Sequence, residues 1–125
     1  MTKWKILIVD DIYTNRFLIK ELLKPLGCQY WEAENGKEAL KLLETEEVDM
    51  VFMDLEMPVM NGFETTRCIK EKFPYAQKKL PVIAITAFDP AIFTEELKNT
   101  GFDDIITKPY SSDKLKSVVE FFCHE

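Results

Sequence analysis

Asp10 and Asp11 sit side by side at the end of an apolar run, Lys5-Ile6-Leu7-Ile8-Val9. Two carboxylates beside a core are expensive unless something cationic lies between them. The pattern recurs downstream. Val51-Phe52-Met53 runs into Asp54, Pro81-Val82-Ile83-Ala84-Ile85 into Thr86, and Asp104-Ile105-Ile106-Thr107 into Lys108. If these runs are parallel strands, their ends share one edge, and residues far apart in sequence meet there. Three carboxylates, a hydroxyl and an ammonium would then form one site. A Mg²⁺ ion and Lys108 together balance the three negative charges, and hard oxygen ligands suit that ion. An aspartate so placed is equipped to accept a phosphoryl group: Lys108 and Thr86 hold the transferring oxygens, and the ionised Asp54 attacks without needing a base.

The elements that must position these residues alternate along the chain. Four consecutive aliphatic residues in the first run suit a strand covered on both faces. A helix over about Thr14 to Lys24 follows, with Leu18 and Leu22 at i, i+4 spacing and Pro25 and Gly27 closing it. Cys28 to Ala33 is more polar and suits a sheet edge. Asn35 with Glu38 resembles a capping box, and the helix behind it buries Ala39, Leu40 and Leu43. Asp49 to Asp54 is the third strand, and a helix runs from about Phe63 to Lys72. Asp89-Pro90 supplies a cap and a first-turn proline for a helix carrying Phe93 and Leu97 that stops at Gly101. Leu115, Val118, Val119 and Phe122 stripe one face of the last helix. Five βα units with short loops and right-handed crossovers predict an α/β, flavodoxin-like three-layer sandwich. Its five-stranded parallel sheet has the order 2-1-3-4-5, with five helices.

Composition narrows the function. The chain has 125 residues, one domain's worth, spanning 1–125. Hydrophobic residues make up 46%, so a packed core is expected. A net charge of −6 argues against nucleic acid as a partner. No apolar run approaches the length of a membrane span, and Trp4-Lys5 leads straight into the first strand without a leader pattern. Cys28, Cys68 and Cys123 lack metal-ligand spacing and read as reduced residues in apolar positions of a cytoplasmic protein. His124, the single histidine, lies at the ragged terminus and is not a catalytic candidate.

From end to end the chain resembles the receiver domain of two-component response regulators. The resemblance rests on Asp10-Asp11 in ILIVDD, Asp54 in MDLEMPVMNG, Thr86 in AITA, and Lys108-Pro109 in ITKPY. It implies a phosphorelay protein, not an enzyme, whose Asp54 is phosphorylated by a phosphohistidine on a histidine kinase or histidine phosphotransfer domain. It implies that Asp11 and Asp54, with the Glu56 backbone carbonyl and support from Asp10, bind Mg²⁺. It also implies that Thr86 and Lys108 contact the phosphoryl oxygens and that the Lys108–Pro109 bond is cis. The start Asp-Asp-Ile-Tyr-Thr-Asn15-Arg16 and the MPVMNGFE turn are similar to receivers attached to hybrid histidine kinases, so flanking kinase domains are expected. Such receivers relay phosphate to a histidine phosphotransfer domain. One position departs from the family: a Tyr or Phe is common three residues before the lysine, where this chain has Ile105. A small aspartate-nucleophile phosphatase of the haloacid-dehalogenase kind is the competing reading. It resembles an Asp-x-Asp motif after the first strand, against Asp10-Asp11-Ile12 here. A flavin or dinucleotide site is disfavoured by three acids at the phosphate end and no Gly-rich loop.

Overall fold

The computed structural model describes residues 4–57, 59–72, 80–87 and 90–123, with 90–94 by their backbone. Strands β1 (Lys5–Val9), β2 (Gln29–Ala33), β3 (Met50–Asp54), β4 (Val82–Thr86) and β5 (Asp104–Thr107) alternate with helices α1 (Tyr13–Leu23), α2 (Gly36–Thr45), α3 (Gly62–Lys72), α4 (Pro90–Thr100) and α5 (Ser112–Phe122). The sheet is parallel throughout, in the order β2-β1-β3-β4-β5. This is the expected flavodoxin-like arrangement.

The pleat explains why the central strands read as continuous apolar runs. Successive side chains point to opposite faces, and both faces are covered. Ile6, Ile8, Met50, Phe52, Ile83 and Ile85 pack with Ile19 and Leu23 of α1 and Leu115, Val118 and Val119 of α5. Leu7, Val9, Val51, Met53 and Val82 pack with Ala39 and Leu43 of α2 and Ile69 of α3. Leu55, Ala84 and Leu97 form a smaller cluster with Phe63, Phe102 and Ile105 at its margin. β2, at one edge, keeps Gln29 and Glu32 outward.

One expectation needs correcting. The buried face of α1 is Arg16, Ile19 and Leu23, while Leu18 is 46% exposed and Leu22 lies only at the core's margin. Apolar residues occupy both sides of this helix, so spacing alone did not choose between the Leu18/Leu22 and Ile19/Leu23 pairs. The helix spans Tyr13–Leu23, one residue off the expected bounds at each end, and passes into a 3-10 turn at Lys24–Leu26. Gly27 closes that turn at φ 70°, a left-handed conformation that glycine adopts without strain.

The α2 cap forms as expected on one side: the Glu38 amide donates to Asn35 Oδ1 at 2.9 Å, but the Glu38 carboxylate accepts from the Glu34 amide. α3 has the full reciprocal box. The Glu64 amide donates to Asn61 Oδ1 at 2.9 Å, and the Asn61 amide to Glu64 Oε1 at 3.2 Å. α4 begins at Pro90 as expected, while its cap residue Asp89 lies outside the described residues, as does His124. The Lys108–Pro109 bond is cis.

Candidate functional site

Register brings the site together. Val9 of β1 lies beside Met53 of β3, so Asp10 and Asp54 follow at the same level. Asp54 pairs with Ile85, and Thr86 with Thr107, so Thr86 and Lys108 come next on the same edge. The ladder continues past the strand ends. The Asp10 amide donates to Ala33 O at 3.1 Å and the Lys108 amide to Thr86 O at 2.7 Å.

The three carboxylates converge. Asp10, Asp11 and Asp54 each offer an oxygen, all within 4.8 Å of one another. Asp10 is 2% and Asp54 7% exposed, whereas Asp11 faces solvent, so the pocket is open on one side. Burial pushes the Asp54 carboxyl up to about 6, and the Asp10 and Asp11 charges push the same way. The Lys108 charge and the Glu56 amide, 3.4 Å from Asp54 Oδ1, pull against them. The Glu56 side chain itself is exposed. Thr86 is buried at the end of β4 and Lys108 half-buried after β5. Tyr110 enters the same field: burial, then Asp10 and Asp54, push its phenol up to about 12.

Close backbone approach supports Asp54 from behind. A Cβ at Gly62 would run into the Asp54 carbonyl oxygen, and the Gly62 amide donates to Leu55 O at 3.1 Å. Only glycine lets α3 start this near the strand. Between them, Val59 holds φ 70° while 71% exposed. For a β-branched residue that conformation is an outlier costing about 1–3 kcal/mol.

Two contributors were quoted in the sequence without a role. The Asn15 amide nitrogen lies 3.4 and 3.3 Å from the two Asp10 carboxylate oxygens. Arg16 is 6% exposed, and its Nη1 donates to the Asp10 carbonyl at 2.7 Å. Its Nε pairs with Glu32 Oε1 at 2.9 Å, and Lys20 holds Glu32 Oε2 at 2.8 Å. Burial alone would push the Glu32 carboxyl up, but hydrogen bonds from Lys20 and Arg16 outweigh it and hold the group below the usual carboxylate range. The signal was a cationic residue five positions after Asp11, in line with the buried Ile19 and Leu23. Ile105 is half-buried against the small apolar cluster, and Phe88, two residues after Thr86, lies outside the described residues.

The donor set fits a hard divalent cation. Three crowded carboxylate oxygens, with burial pushing the Asp54 carboxyl toward protonation, would be relieved by a divalent cation such as Mg²⁺, whose remaining positions would be open to water or a phosphate oxygen.

Comparison with known proteins agrees with this geometry. Residues 6–120 match the response regulator receiver domain family. The sensor histidine kinase GacS of Pseudomonas protegens is 37% identical over 116 residues, covering 92% of this chain but 13% of that kinase. Sporulation initiation phosphotransferase F of Bacillus subtilis is 32% identical over 120 residues, covering 96% of this chain and 94% of that protein. The receiver domain of the Pseudomonas aeruginosa sensor histidine kinase PA1611, whose structure holds magnesium in its active-site cleft, superposes with a TM-score of 0.85. It is 26% identical, with 97% of this chain and 98% of that one covered. A family match over nearly the whole chain, the sheet order and the acidic pocket lead to one conclusion: the chain belongs to the response regulator receiver family and is a regulatory phosphoacceptor rather than a catalytic enzyme.

Proposed function

We propose that Asp54 accepts a phosphoryl group from a phosphohistidine. Asp54 Oδ attacks phosphorus in line, the new P–O bond forms as the N–P bond breaks, and the imidazole leaves. Asp10, Asp11 and Asp54, with the Glu56 carbonyl, hold Mg²⁺, which when bound neutralises charge on the transferring oxygens. Lys108 and Thr86 hold the other phosphoryl oxygens as point charge and hydroxyl donor. The observation that carries this reading is the convergence of three carboxylates within 4.8 Å, in reach of the Lys108 charge.

The donor is a histidine kinase or a histidine phosphotransfer domain. The chain spans 13% of GacS, which supports its working as the receiver module of a hybrid kinase that relays phosphate to a phosphotransfer domain. Residues 1–125 then form one cytoplasmic receiver domain. Beside the pocket, Ile12, Tyr13, Phe17 and Leu18 are 50%, 59%, 46% and 46% exposed, an apolar face suited to a partner helix. A stand-alone relay protein is the second reading, favoured by the near-complete coverage of sporulation initiation phosphotransferase F.

Incubation with phosphoramidate and Mg²⁺, followed by mass spectrometry, tests the acceptor. A single label on Asp54, absent from Asp54→Ala, is expected. Equal labelling of that variant sinks the assignment.

A further inference from the structure

We infer that Arg16 is a positioning residue for the metal-binding carboxylates, acting through the Asp10–Asp11 peptide; the inference rests on the Mg²⁺-dependent reading above. An arginine 6% exposed is rare unless it is fully paired. Here the pairing is spent on the strand end. Nη1 grips the Asp10 carbonyl at 2.7 Å while Nε is held by Glu32 at 2.9 Å. The guanidinium also lies 5.6 Å from the centre of the Tyr13 ring, and Nη2 is 3.9 Å from Glu34 Oε1.

The Asp10 carbonyl belongs to the planar unit that joins Asp10 to Asp11. Fixing its oxygen fixes the plane, and with it the direction in which Asp11 leaves the strand. Asp11 is exposed, so its aim depends on that plane more than on packing. Asp10 is held separately: the Ile12 amide donates to its Oδ1 at 2.9 Å, and the Asn15 amide reaches both its oxygens. Glu32 can anchor Arg16 because Lys20 holds its second oxygen. A chain of charge-assisted bonds therefore runs from the edge strand β2 to the metal-binding pair. Arginine reaches the two acceptors from separate nitrogens of one rigid plane, Nη1 on the carbonyl and Nε on the carboxylate, a fixed spacing that the single nitrogen of lysine does not reproduce.

The rival account is that Arg16 merely staples α1 to β2. It predicts lost stability and an unchanged site. The test is Mg²⁺ titration of metal-free protein, followed by amide chemical shifts, alongside thermal melts in EDTA. Arg16→Met is expected to weaken Mg²⁺ binding about 10- to 100-fold, the range for groups that orient metal ligands. Arg16→Lys should fall between it and wild type. If Arg16→Met fails to fold, Glu32→Gln, on the outward side of the edge strand, replaces it, with a weakening of about 3- to 10-fold expected. A lower melting temperature with Mg²⁺ affinity within about twofold of wild type, in whichever variant folds, overturns the positioning role. Phosphoramidate labelling of wild-type Asp54 separates the two levels. Labelled wild type with normal metal binding in the variant rejects Arg16 alone. Wild type that neither binds Mg²⁺ nor labels rejects the phosphoacceptor reading and this inference with it.

Discussion

The two rims of the sheet use aspartate in opposite ways. At the N-terminal rim each acid is given its own donors. Asp49 Oδ2 accepts from the Lys5 amide at 2.8 Å. Asp103 Oδ2 accepts from Lys70 Nζ at 2.9 Å and from the Val82 amide at 2.8 Å, tying α3 to the starts of β4 and β5. At the C-terminal rim three acids crowd within 4.8 Å, and Asp54 is pushed up to about 6 by burial and its neighbours. An acid with local donors is a staple. Acids gathered faster than donors are supplied create a standing demand for a cation, and stability is given up for binding.

The comparison breaks most sharply at Asp11. Asp11→Asn should weaken Mg²⁺ binding by about 100-fold or more, since a ligand is lost rather than an orienting group. Saturation at ~100 times the dissociation constant should stabilise wild type by about 2.7 kcal/mol. At the same metal concentration the variant should gain almost nothing, which melts with Mg²⁺ and EDTA would read. An equal rise in both would show that Asp11 is no ligand.

At the opposite rim the signature reverses. Asp103→Ala should cost about 2 kcal/mol in denaturant unfolding, because Lys70 and the Val82 amide lose a partly buried acceptor. Mg²⁺ affinity should stay at the wild-type value. A matching loss of affinity would mean that the rims are coupled.

The smallest effect has the opposite sign. An acid whose folded pKa is raised makes the fold less stable once ionised. Unfolded Asp titrates near ~3.9, and Asp54 near about 6. Between those values the folded state binds the extra proton, so wild-type stability falls as pH rises through this window. Asp54→Asn lacks that penalty. In EDTA it should be more stable than wild type by about 1 kcal/mol at neutral pH, a figure below the full shift because the pocket opens to solvent. The advantage should vanish below about pH 4. A pH-independent difference would locate its cause elsewhere.

Which of these features could be read from sequence follows the range of the interaction. Strands ending in Asp10-Asp11, Asp54, Thr86 and Lys108 were legible because apolar runs and parallel register are near-local rules. The box at Asn35 was legible for the same reason, although Glu38 closes on Glu34 instead. Arg16 was not, because its burial needs Glu32 from another strand and a carbonyl outside its own helix. The face of α1 was misjudged because Phe17 and Leu18 stay exposed on a helix that also carries Ile19 and Leu23. Val59 gave no sign of positive φ, a conformation its side chain disfavours.

The crossed order of the sheet also has a consequence in time. β1 lies between β2 and β3, and the strand leading to Lys108 is the last to be added, at the far edge. During synthesis Asp10, Asp11 and Asp54 emerge from the ribosome long before Lys108 does. A nascent chain thus carries its acids without the lysine that completes their pocket. On the phosphoacceptor reading proposed above, competence for labelling would arrive late, with the closing of β5 on β4, and a phosphoryl label would report that the sheet has closed.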